Sequence, residues 1–421
     1  MQITKTKALE ASGEGNNKNG MSQGSDEFEF GRAAGAPPCG RNSGLSYPFR
    51  VLAVTCLLAV GLVLSGGVSA TVFEDASFAE TDIVRPDGNP WVGVVGLQFV
   101  EDGSRAFAWE REGRVWILDD NAPLTTPFLD ISDEVLGWRD HGMLGFALDP
   151  GFRSNGYIYL LYAVDRHHVD YCVEDPSGTG PVQCDPSNYD PAFSILETRA
   201  TIGRITRYQA VQPAGEADYL NATEIDYDSR TVLLGAALSL DACPLLYDTH
   251  GVGSLVFGTD GSLLFACGDS GRAGQTDSGS ERFTAWEEAI NDGLIRPEEN
   301  VGAFRAQMIN SHSGKILRID PATGDGLASN PFYQAAAPRS AASRVWTLGV
   351  RNGYRMTIKP GTGSHDPADG DPGVLYLGDV GWTTWEDFHT VPMGGANLGW
   401  PMFEGIEPQP DYVLVSPDNL D

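Results

Sequence analysis

The fold of this protein is decided by residues 250–272, HGVGSLVFGTDGSLLFACGDSGR. Two apolar runs, SLVF and LLFAC, lie on either side of the turn sequence Thr259-Asp260-Gly261, which predicts a β-hairpin. His250 comes just before the first strand and Asp269 just after the second, so the turn places both residues at one edge of the sheet. There the carboxylate can orient the imidazole as a general base. The alternative is a loop histidine that is hydrogen-bonded to a turn aspartate.

The hairpin has counterparts elsewhere in the chain, each with an apolar strand, a Gly/Asp/Pro turn and a β-rich strand that ends in polar residues. The four units cover residues 92–119, residues 141–165 with the strand IGRITRY, residues 250–272 with SGKILRIDP, and residues 344–360 with GVLYLGDVG. Self-similar antiparallel units predict an all-β fold, a β-propeller whose polar strand ends meet at a central cavity. A two-sheet sandwich is the alternative. The insertions 165–200 and 272–311 are candidates for the walls of a pocket.

The N-terminal part of the chain differs in composition from the rest. Residues 1–50 are rich in Gly, Ser, Asn and charge, which predicts a disordered leader. Residues 51–70, VLAVTCLLAVGLVLSGGVSA, are uncharged and end in small residues, as a secretory signal segment with its cleavage site does. An uncleaved membrane anchor is the alternative. We expect residues 71–421 to be the folded domain, exported to a periplasmic or extracellular location, with membrane contact only if the segment stays uncleaved.

The net charge of the chain bears on its binding partners, and its cysteines bear on disulfide bonding and zinc binding. The chain has 421 residues and a net charge of −29, which repels phosphate backbones, so we do not expect nucleic acid as a partner. Four cysteines follow residue 70, namely Cys172, Cys184, Cys243 and Cys267. In an exported chain they permit two disulfides, and the bridge between Cys172 and Cys184 is favoured. Their spacing does not match a zinc site.

Five motifs occur in a fixed order along the chain. They are DHGMLGFALDPGFRSNGYIYLLYAV, the hairpin 250–272, SGKILRIDPATGDG, VWTLGVRNGYRM, and GDVGWTTWEDFHTV followed by GANLGWPMFEG. Together they resemble the glucose/sorbosone dehydrogenase family over about residues 92–405. The resemblance implies a six-bladed β-propeller that oxidises sugars with pyrroloquinoline quinone (PQQ) and calcium. About four blades are recognisable here, so we expect the sequence to lack C-terminal blades.

The resemblance also implies roles for individual residues. His250 corresponds to the family's base, which takes the proton of the sugar's anomeric hydroxyl while hydride passes to the quinone, and Asp269 orients it. Arg351 and Asn352 match a pair that contacts the quinone, where a guanidinium stabilises the negative charge that hydride transfer creates. The alternative for Arg351 is a surface salt bridge.

Further ligands are implied by the same motifs. Asp140 matches a residue near the substrate and is a cofactor-binding candidate, as is Arg272 at the end of the hairpin. In the family, main-chain carbonyls hold the calcium ion, and these fall on Gly381 and Trp382. Family members usually show Arg-Asn-Pro, so we expect Gly353 to loosen the backbone of the quinone-contacting pair.

Two functional hypotheses follow from the sequence. The first is an exported quinoprotein that oxidises a small sugar and passes its electrons to an acceptor such as a dye, a quinone or a cytochrome. The second is a non-catalytic propeller that binds carbohydrate or protein partners in the same central cavity, since the family includes animal homologues that act as binding proteins.

Overall fold

The computed structural model describes residues 82–120, 122–174 and 179–417, and most of its regular structure is β-strand. The helices are α1 (Phe152–Asn155), α2 (Arg166–Tyr171), α3 (Trp286–Asn291), α4 (Ala341–Arg344) and α5 (Pro410–Val413), with 3₁₀ turns at Pro297–Glu299, Gly302–Gln307 and Pro367–Asp369. Within the described ranges, no helix has the length and apolar character needed to cross a bilayer. The predicted leader, 1–50, and the apolar segment, 51–70, lie outside the described residues.

Four antiparallel sheets follow one another along the chain. The first contains β1 (Val94–Phe99), β2 (Arg105–Glu110), β3 (Arg114–Asp119), β4 (Ala122–Pro123) and β5 (Leu129–Asp130). The second contains β6 (Met143–Leu148) and β7 (Tyr157–Ala163), is interrupted by a separate hairpin of β8 (Cys172–Val173) and β9 (Gln183–Cys184), and continues with β10 (Thr201–Ala210), β11 (Ile225–Leu234) and β12 (Cys243–Leu245).

The third sheet contains β13 (Val252–Phe257), β14 (Leu263–Cys267), β15 (Lys315–Ile319) and β16 (Val345–Leu348). The fourth contains β17 (Gly353–Ile358), β18 (Leu375–Asp379) and β19 (Asp387–Val391), and a short hairpin of β20 (Phe403–Glu404) and β21 (Glu407–Pro408) follows it. The predicted hairpin 250–272 is therefore formed by β13 and β14, with Val252 paired to Cys267.

The first strands of the four sheets pack around a common centre. β13 packs against both β6 and β17, and β1 packs against β6. These four strands line a cavity of about 540 Å³, and Arg355 in β17 donates a hydrogen bond to the carbonyl of Val95 in β1 at 2.7 Å. Middle strands β14 and β15 are buried along their whole length because neighbouring sheets cover both of their faces. The predicted β-propeller is confirmed, with four blades in the described residues.

The boundary between the third and fourth blades differs from the sequence prediction. The segment 344–360 was predicted to open the fourth unit, but β16 within it is the outer strand of the third sheet, where Lys315 pairs with Leu348. The fourth sheet begins only with β17. The extended strand ends between β16 and β17 because Gly349 adopts a φ of +76° and turns the backbone toward the next blade.

The structure contains both of the disulfides that the four cysteines permit, and one of them is the favoured bridge. Cys172 is bonded to Cys184, within the β8–β9 hairpin, and Cys243 in β12 is bonded to Cys267 in β14. The second bond joins the second and third sheets two residues before Asp269. The predicted hairpin edge is therefore covalently tied to the neighbouring blade.

Candidate functional site

The third sheet brings His250 and Asp269 together at one edge. His250 precedes β13 and Asp269 follows β14, and the pairing of Val252 with Cys267 aligns the two ends. Nδ1 of His250 lies 2.8 Å from Oδ1 of Asp269, and both side chains are buried, so the predicted proximity is observed. A carboxylate at Nδ1 favours the tautomer whose lone pair is on Nε2. No described residue is hydrogen-bonded to that Nε2.

Asp269 is surrounded by donors. Its Oδ1 also accepts from the backbone N–H of Gly271 at 2.8 Å, and its Oδ2 accepts from the indole N–H of Trp400 at 2.6 Å. Burial acts to raise the pKa of Asp269, but His250, Arg351 and the Gly271 N–H outweigh burial and lower the pKa below its ordinary value. The carboxylate therefore stays ionised at neutral pH and can stabilise a protonated His250.

The backbone at this edge is strained. His250 and Ser270 have φ angles of +52° and +55°, in the left-handed region that non-glycine residues rarely adopt. The hydroxyl of Ser270 donates to the carbonyl of Pro244 at 2.8 Å and accepts from the N–H of Leu246 at 3.2 Å, so the neighbouring strand holds this turn. Strain of this kind persists where surrounding contacts enforce it, and it is concentrated at functional sites.

Arg351 reaches the same edge from the loop between the third and fourth sheets. Its carbonyl accepts from the backbone N–H of Asp269 at 2.8 Å. Its guanidinium lies 5.3 Å from the centre of the Trp400 ring and donates from Nη1 to the carbonyls of Val380 and Gly381 at 2.9 and 2.8 Å. Its Nε is buried without a hydrogen-bond partner. The arginine is therefore buried at the same edge as His250 and Asp269 and is not half of a surface salt bridge.

Asp379, at the end of β18, holds the backbone of the Arg351–Asn352 pair. Its oxygens accept from the N–H of Arg351 at 2.9 Å and from the N–H of Asn352 at 2.6 Å. The Asp379 carboxyl group therefore binds the backbone of both residues that precede Gly353. Burial raises the pKa of Asp379 to about 7 against the effect of these N–H groups and Arg351, and Asp269 adds to the rise.

The predicted calcium ligands, Gly381 and Trp382, have surroundings that do not fit a calcium ion. The Gly381 carbonyl already accepts a hydrogen bond from the Arg351 guanidinium, which places a positive charge beside this oxygen. The N–H groups of Gly381 and Trp382 donate to Glu386 and Glu404, so those carboxylates are engaged with the backbone. Calcium takes roughly six to eight oxygen ligands. The structure therefore does not support this pair as a calcium site.

Asp140 precedes His141, whose ring lies beside the His250–Asp269 pair, called the dyad below. Asp140 is exposed, whereas His141 is buried, with its Nδ1 against the backbone of Gly251 and without a hydrogen-bond partner. Nε2 of His141 contacts the carbonyl of Tyr247 at 2.9 Å. Burial lowers the pKa of His141, and His250 adds to the lowering. His141 is therefore neutral near pH 7 and does not compete with His250 for the negative charge of Asp269.

Arg272 is turned toward its own insertion. Its Nη1 donates to Glu281 and Gln275, both at 2.9 Å, and its guanidinium lies 4.2 Å from the Phe283 ring. Its charge is therefore balanced by Glu281. The structure brings His250, Asp269, Arg351 and Asn352 to one edge but does not direct the Arg272 side chain to them.

Two other groups of potential metal ligands occur in the part of the chain that the structure describes. They are His168 with Cys172 and Cys184, and His168 with Glu134 and Glu174. The two cysteines are bonded to each other, and the two glutamates form ion pairs with the buried residues Arg204 and Arg230. Neither group offers a set of free ligands.

Two further residues, to which the sequence assigns no role, contact the dyad. Arg305, in the insertion 272–311, donates from Nη2 to the carbonyls of Asp269 and Ser270 at 3.0 and 3.1 Å. The insertion therefore packs against the edge that carries Asp269. Trp400 is 131 residues from Asp269, and its one sequence signal is its place in the last of the five motifs.

Comparison with known proteins identifies a family and several relatives. A family model described as "Glucose / Sorbosone dehydrogenase" matches residues 89–174 and 240–413, more than half of the chain. The chain is 26% identical to the HIPL2 protein of Arabidopsis thaliana over 331 residues, which make up 72% of this chain and 40% of that protein. It is 23% identical to quinoprotein glucose dehydrogenase B of Acinetobacter calcoaceticus over 276 residues, 66% of this chain and 43% of that protein.

The chain spans about two fifths of the length of the curated relatives it matches. Among solved structures, it is similar to an oxidoreductase (glucose dehydrogenase) from Thermus thermophilus, with a TM-score of 0.46, 21% identity, and coverage of 76% of this chain and 68% of that chain. It is also similar to the soluble aldose sugar dehydrogenase of Escherichia coli in its apo-form, with a TM-score of 0.45, 17% identity, and coverage of 74% and 64%.

Proposed function

Because the chain belongs to the glucose/sorbosone dehydrogenase family, we propose that it is a quinoprotein that oxidises the anomeric hydroxyl of a sugar, with His250 as the general base. The observation that carries this proposal is the buried dyad, in which Asp269 binds Nδ1 of His250 at 2.8 Å while Nε2 has no described partner. A base of this type needs one nitrogen fixed and the other free to meet the substrate.

The chemistry assigned to the chain is a proton transfer. Oxidation of the anomeric carbon removes a hydride from carbon and a proton from its hydroxyl, and leaves the lactone. Nε2 of His250 takes the proton, and the ionised Asp269 stabilises the imidazolium that forms. Loss of the proton raises the electron density on oxygen, so the hydride leaves more easily from the same carbon.

Arg351 and Asn352 would hold the quinone. PQQ, when bound, supplies the two-electron acceptor for the hydride. It is an anion, and the Arg351 guanidinium fits it because Nε is buried without a partner and no described residue accepts a hydrogen bond from Nη2. We assign no calcium to Gly381 and Trp382, since the guanidinium beside the Gly381 carbonyl opposes a second cation.

The proposal includes an extracytoplasmic location and an external electron acceptor. The bonds between Cys172 and Cys184 and between Cys243 and Cys267 support export, because disulfides persist in oxidising compartments. The substrate is a small sugar, and the acceptor is a dye in the assay and a quinone or cytochrome in the cell.

The test is reconstitution of the full chain with PQQ, followed by dye reduction with a panel of aldoses. We expect turnover in the wild type and a loss of at least about 100-fold in His250→Ala, because general-base catalysis contributes that much or more. His365→Ala, an exposed histidine in the β17–β18 loop, is the matched control and should keep wild-type rates. Equal rates in His250→Ala and the wild type would remove His250 from the mechanism.

PQQ binding is measured separately by equilibrium dialysis, which needs no turnover. Arg351→Ala should weaken binding about tenfold or more because a charged hydrogen-bond donor is lost, whereas Arg153→Ala, at an exposed ion pair with Asp218, should not.

The surroundings of Gly381 and Trp382, which do not fit a calcium ion, favour one alternative function. This alternative is a propeller that binds carbohydrate in the same cavity without oxidising it. Sugar binding with neither PQQ binding nor dye reduction would establish that alternative.

A further inference from the structure

Trp400 occupies a fixed position beside the dyad, although it lies outside the four sheets. Its backbone N–H donates to the carbonyl of Gly349 at 3.1 Å, and its carbonyl accepts from Nε2 of Gln307 at 2.6 Å. The residue is 4% exposed. Gly349 leads into the Arg351 loop and Gln307 ends the 3₁₀ turn of the insertion, so Trp400 is attached to two segments that form the site.

The Trp400 side chain contacts two of the proposed functional residues. Its indole N–H donates to Oδ2 of Asp269 at 2.6 Å, the oxygen that His250 does not use. The face of the same ring lies 5.3 Å from the Arg351 guanidinium, a distance suited to a cation–π interaction. One planar side chain therefore connects the partner of the base with the cation assigned to the quinone.

The ring itself is held by other aromatic side chains. Tyr412 packs edge-on against Trp400 with ring centres 5.2 Å apart, and Trp382 does so at 6.3 Å. Tyr412 is fixed in turn by Phe304 at 5.6 Å, and its hydroxyl accepts from the N–H of Asp277 at 3.2 Å. The indole N–H cannot turn away from Asp269 without disturbing this packing, so the contact is built into the structure.

We infer that Trp400 is a positioning residue for the proposed proton transfer, which sets the orientation of Asp269 on His250 and holds Arg351 next to them. The inference rests on the proposed function and extends it to a residue that acts through others. The indole N–H withdraws part of the carboxylate's charge from His250. Without it, Asp269 would interact more strongly with a protonated His250 and would have one buried oxygen without a donor.

Several other charged or titratable groups lie around His250 and Asp269. They are Arg351, whose carbonyl Asp269 binds, Arg305, which donates to the Asp269 carbonyl, Asp379 and Tyr412, whose pKa values Asp269 raises, and His141, whose pKa His250 lowers. A change in the titration behaviour of the dyad in a Trp400 variant would report the loss of the Trp400 ring, which removes both the indole N–H on Asp269 and the contact with Arg351.

The decisive test is an NMR titration of the full chain, which needs neither PQQ nor sugar. In the wild type, the indole ¹H–¹⁵N resonance of Trp400 should move with the same pH midpoint as the His250 ring, because protonation of His250 changes the charge that Asp269 presents to the indole. A Trp400 resonance that stays still through that midpoint would overturn the inference, whatever the activity assays show.

The variant test is Trp400→Phe, with Trp116→Phe as the matched control. Trp116 is also buried and donates its indole N–H to a carboxylate, Glu110, at 2.9 Å, but in the first sheet. We expect Trp400→Phe to move the His250 titration and the acid limb of the pH–rate profile to higher pH, and to lower kcat about tenfold with KM changed less than about twofold.

Trp116→Phe should lower stability and leave the titration and the rate profile unchanged. Equal titrations in the two variants would show that Trp400 is merely structural. If Trp400→Phe does not fold, the wild-type titration still decides the question. If the wild type reduces no dye but Trp400 and His250 titrate together, the proposed function fails and the contact between Trp400 and the dyad stands.

Discussion

Asp269 shows how a single side chain can organise this edge of the propeller. It is buried, yet it binds His250, Gly271 and Trp400 through its carboxylate and Arg351 through its backbone. Its negative charge survives burial because His250, Arg351 and the Gly271 N–H lower its pKa. Asp379 lies in the same neighbourhood but has the opposite behaviour, since burial raises its pKa to about 7.

The raised pKa of Asp379 predicts a pH dependence of stability. The unfolded carboxyl ionises near pH 4, but the native one keeps its proton to about pH 7, so the native state binds more protons in this window. The free energy of unfolding should therefore fall as pH rises from about 4 to 7, by up to about 4 kcal/mol from this group. Other carboxylates with lowered pKa values act in the opposite direction.

Asp379→Asn isolates this contribution. Urea unfolding of wild type and variant between pH 4.5 and 8 gives the difference in their free energies of unfolding at each pH. We expect the wild type to lose stability relative to the variant as pH rises, because only the wild type must ionise a buried group. A difference that is constant or that grows in favour of the wild type would contradict the prediction.

At the scale of elements, close packing between neighbouring inner strands decides where glycine is required. A Cβ on Gly253, in β13, would lie 1.8 Å from the carbonyl oxygen of Gly353, at the start of β17. The backbones of the third and fourth sheets therefore meet directly at this point. The contact lies one residue from Asn352 and so connects packing between blades to the site.

Gly253→Ala should separate these two strands and lower the free energy of unfolding by about 3 kcal/mol or more, as overpacking of a rigid backbone contact does. Chemical unfolding measures the loss. Gly274→Ala is the control, since nothing lies within 4 Å of the Cβ position there, and it should change stability by less than about 0.5 kcal/mol. Equal stability of both variants would contradict the close approach.

The bond between Cys243 and Cys267 is the second link between elements, here between the second and third sheets. Replacing both residues by alanine should cost about 3 kcal/mol, because the cross-link closes a loop in the unfolded chain. Replacing Cys172 and Cys184 removes a bond within a single hairpin and serves as the comparison. We expect the Cys243 and Cys267 double variant to lose both melting temperature and dye-reducing activity. The Cys172 and Cys184 double variant should keep its dye-reducing activity.

At the scale of the whole molecule, net charge opposes compactness. The chain carries a net charge of −29, so its surface charges repel one another at neutral pH. Raising NaCl from about 10 to about 300 mM should increase the melting temperature by a few degrees at pH 7, because salt screens this repulsion. The increase should vanish near pH 4.4, the isoelectric point, and an equal increase at both pH values would contradict this explanation.

The sequence by itself determined the repeated hairpins, the all-β propeller and the family. It also predicted that His250 and Asp269 meet, because the register of a two-stranded hairpin is set by its own turn and alternation. The bond between Cys172 and Cys184 was predictable for a similar reason, since only a short loop separates the two cysteines.

Only the tertiary structure decided how the blades combine at the site. Four contacts between segments far apart in sequence illustrate this. They are the pairing of β16 with β15 in the third sheet, the hydrogen bond from the Arg351 N–H to Asp379, the hydrogen bond from the Arg351 guanidinium to the Gly381 carbonyl, and the hydrogen bond from the Trp400 indole to Asp269. Such contacts depend on the radial packing of whole sheets and on where loops cross between them. No local periodicity or turn signal encodes these distances, so they could be determined only from the folded chain.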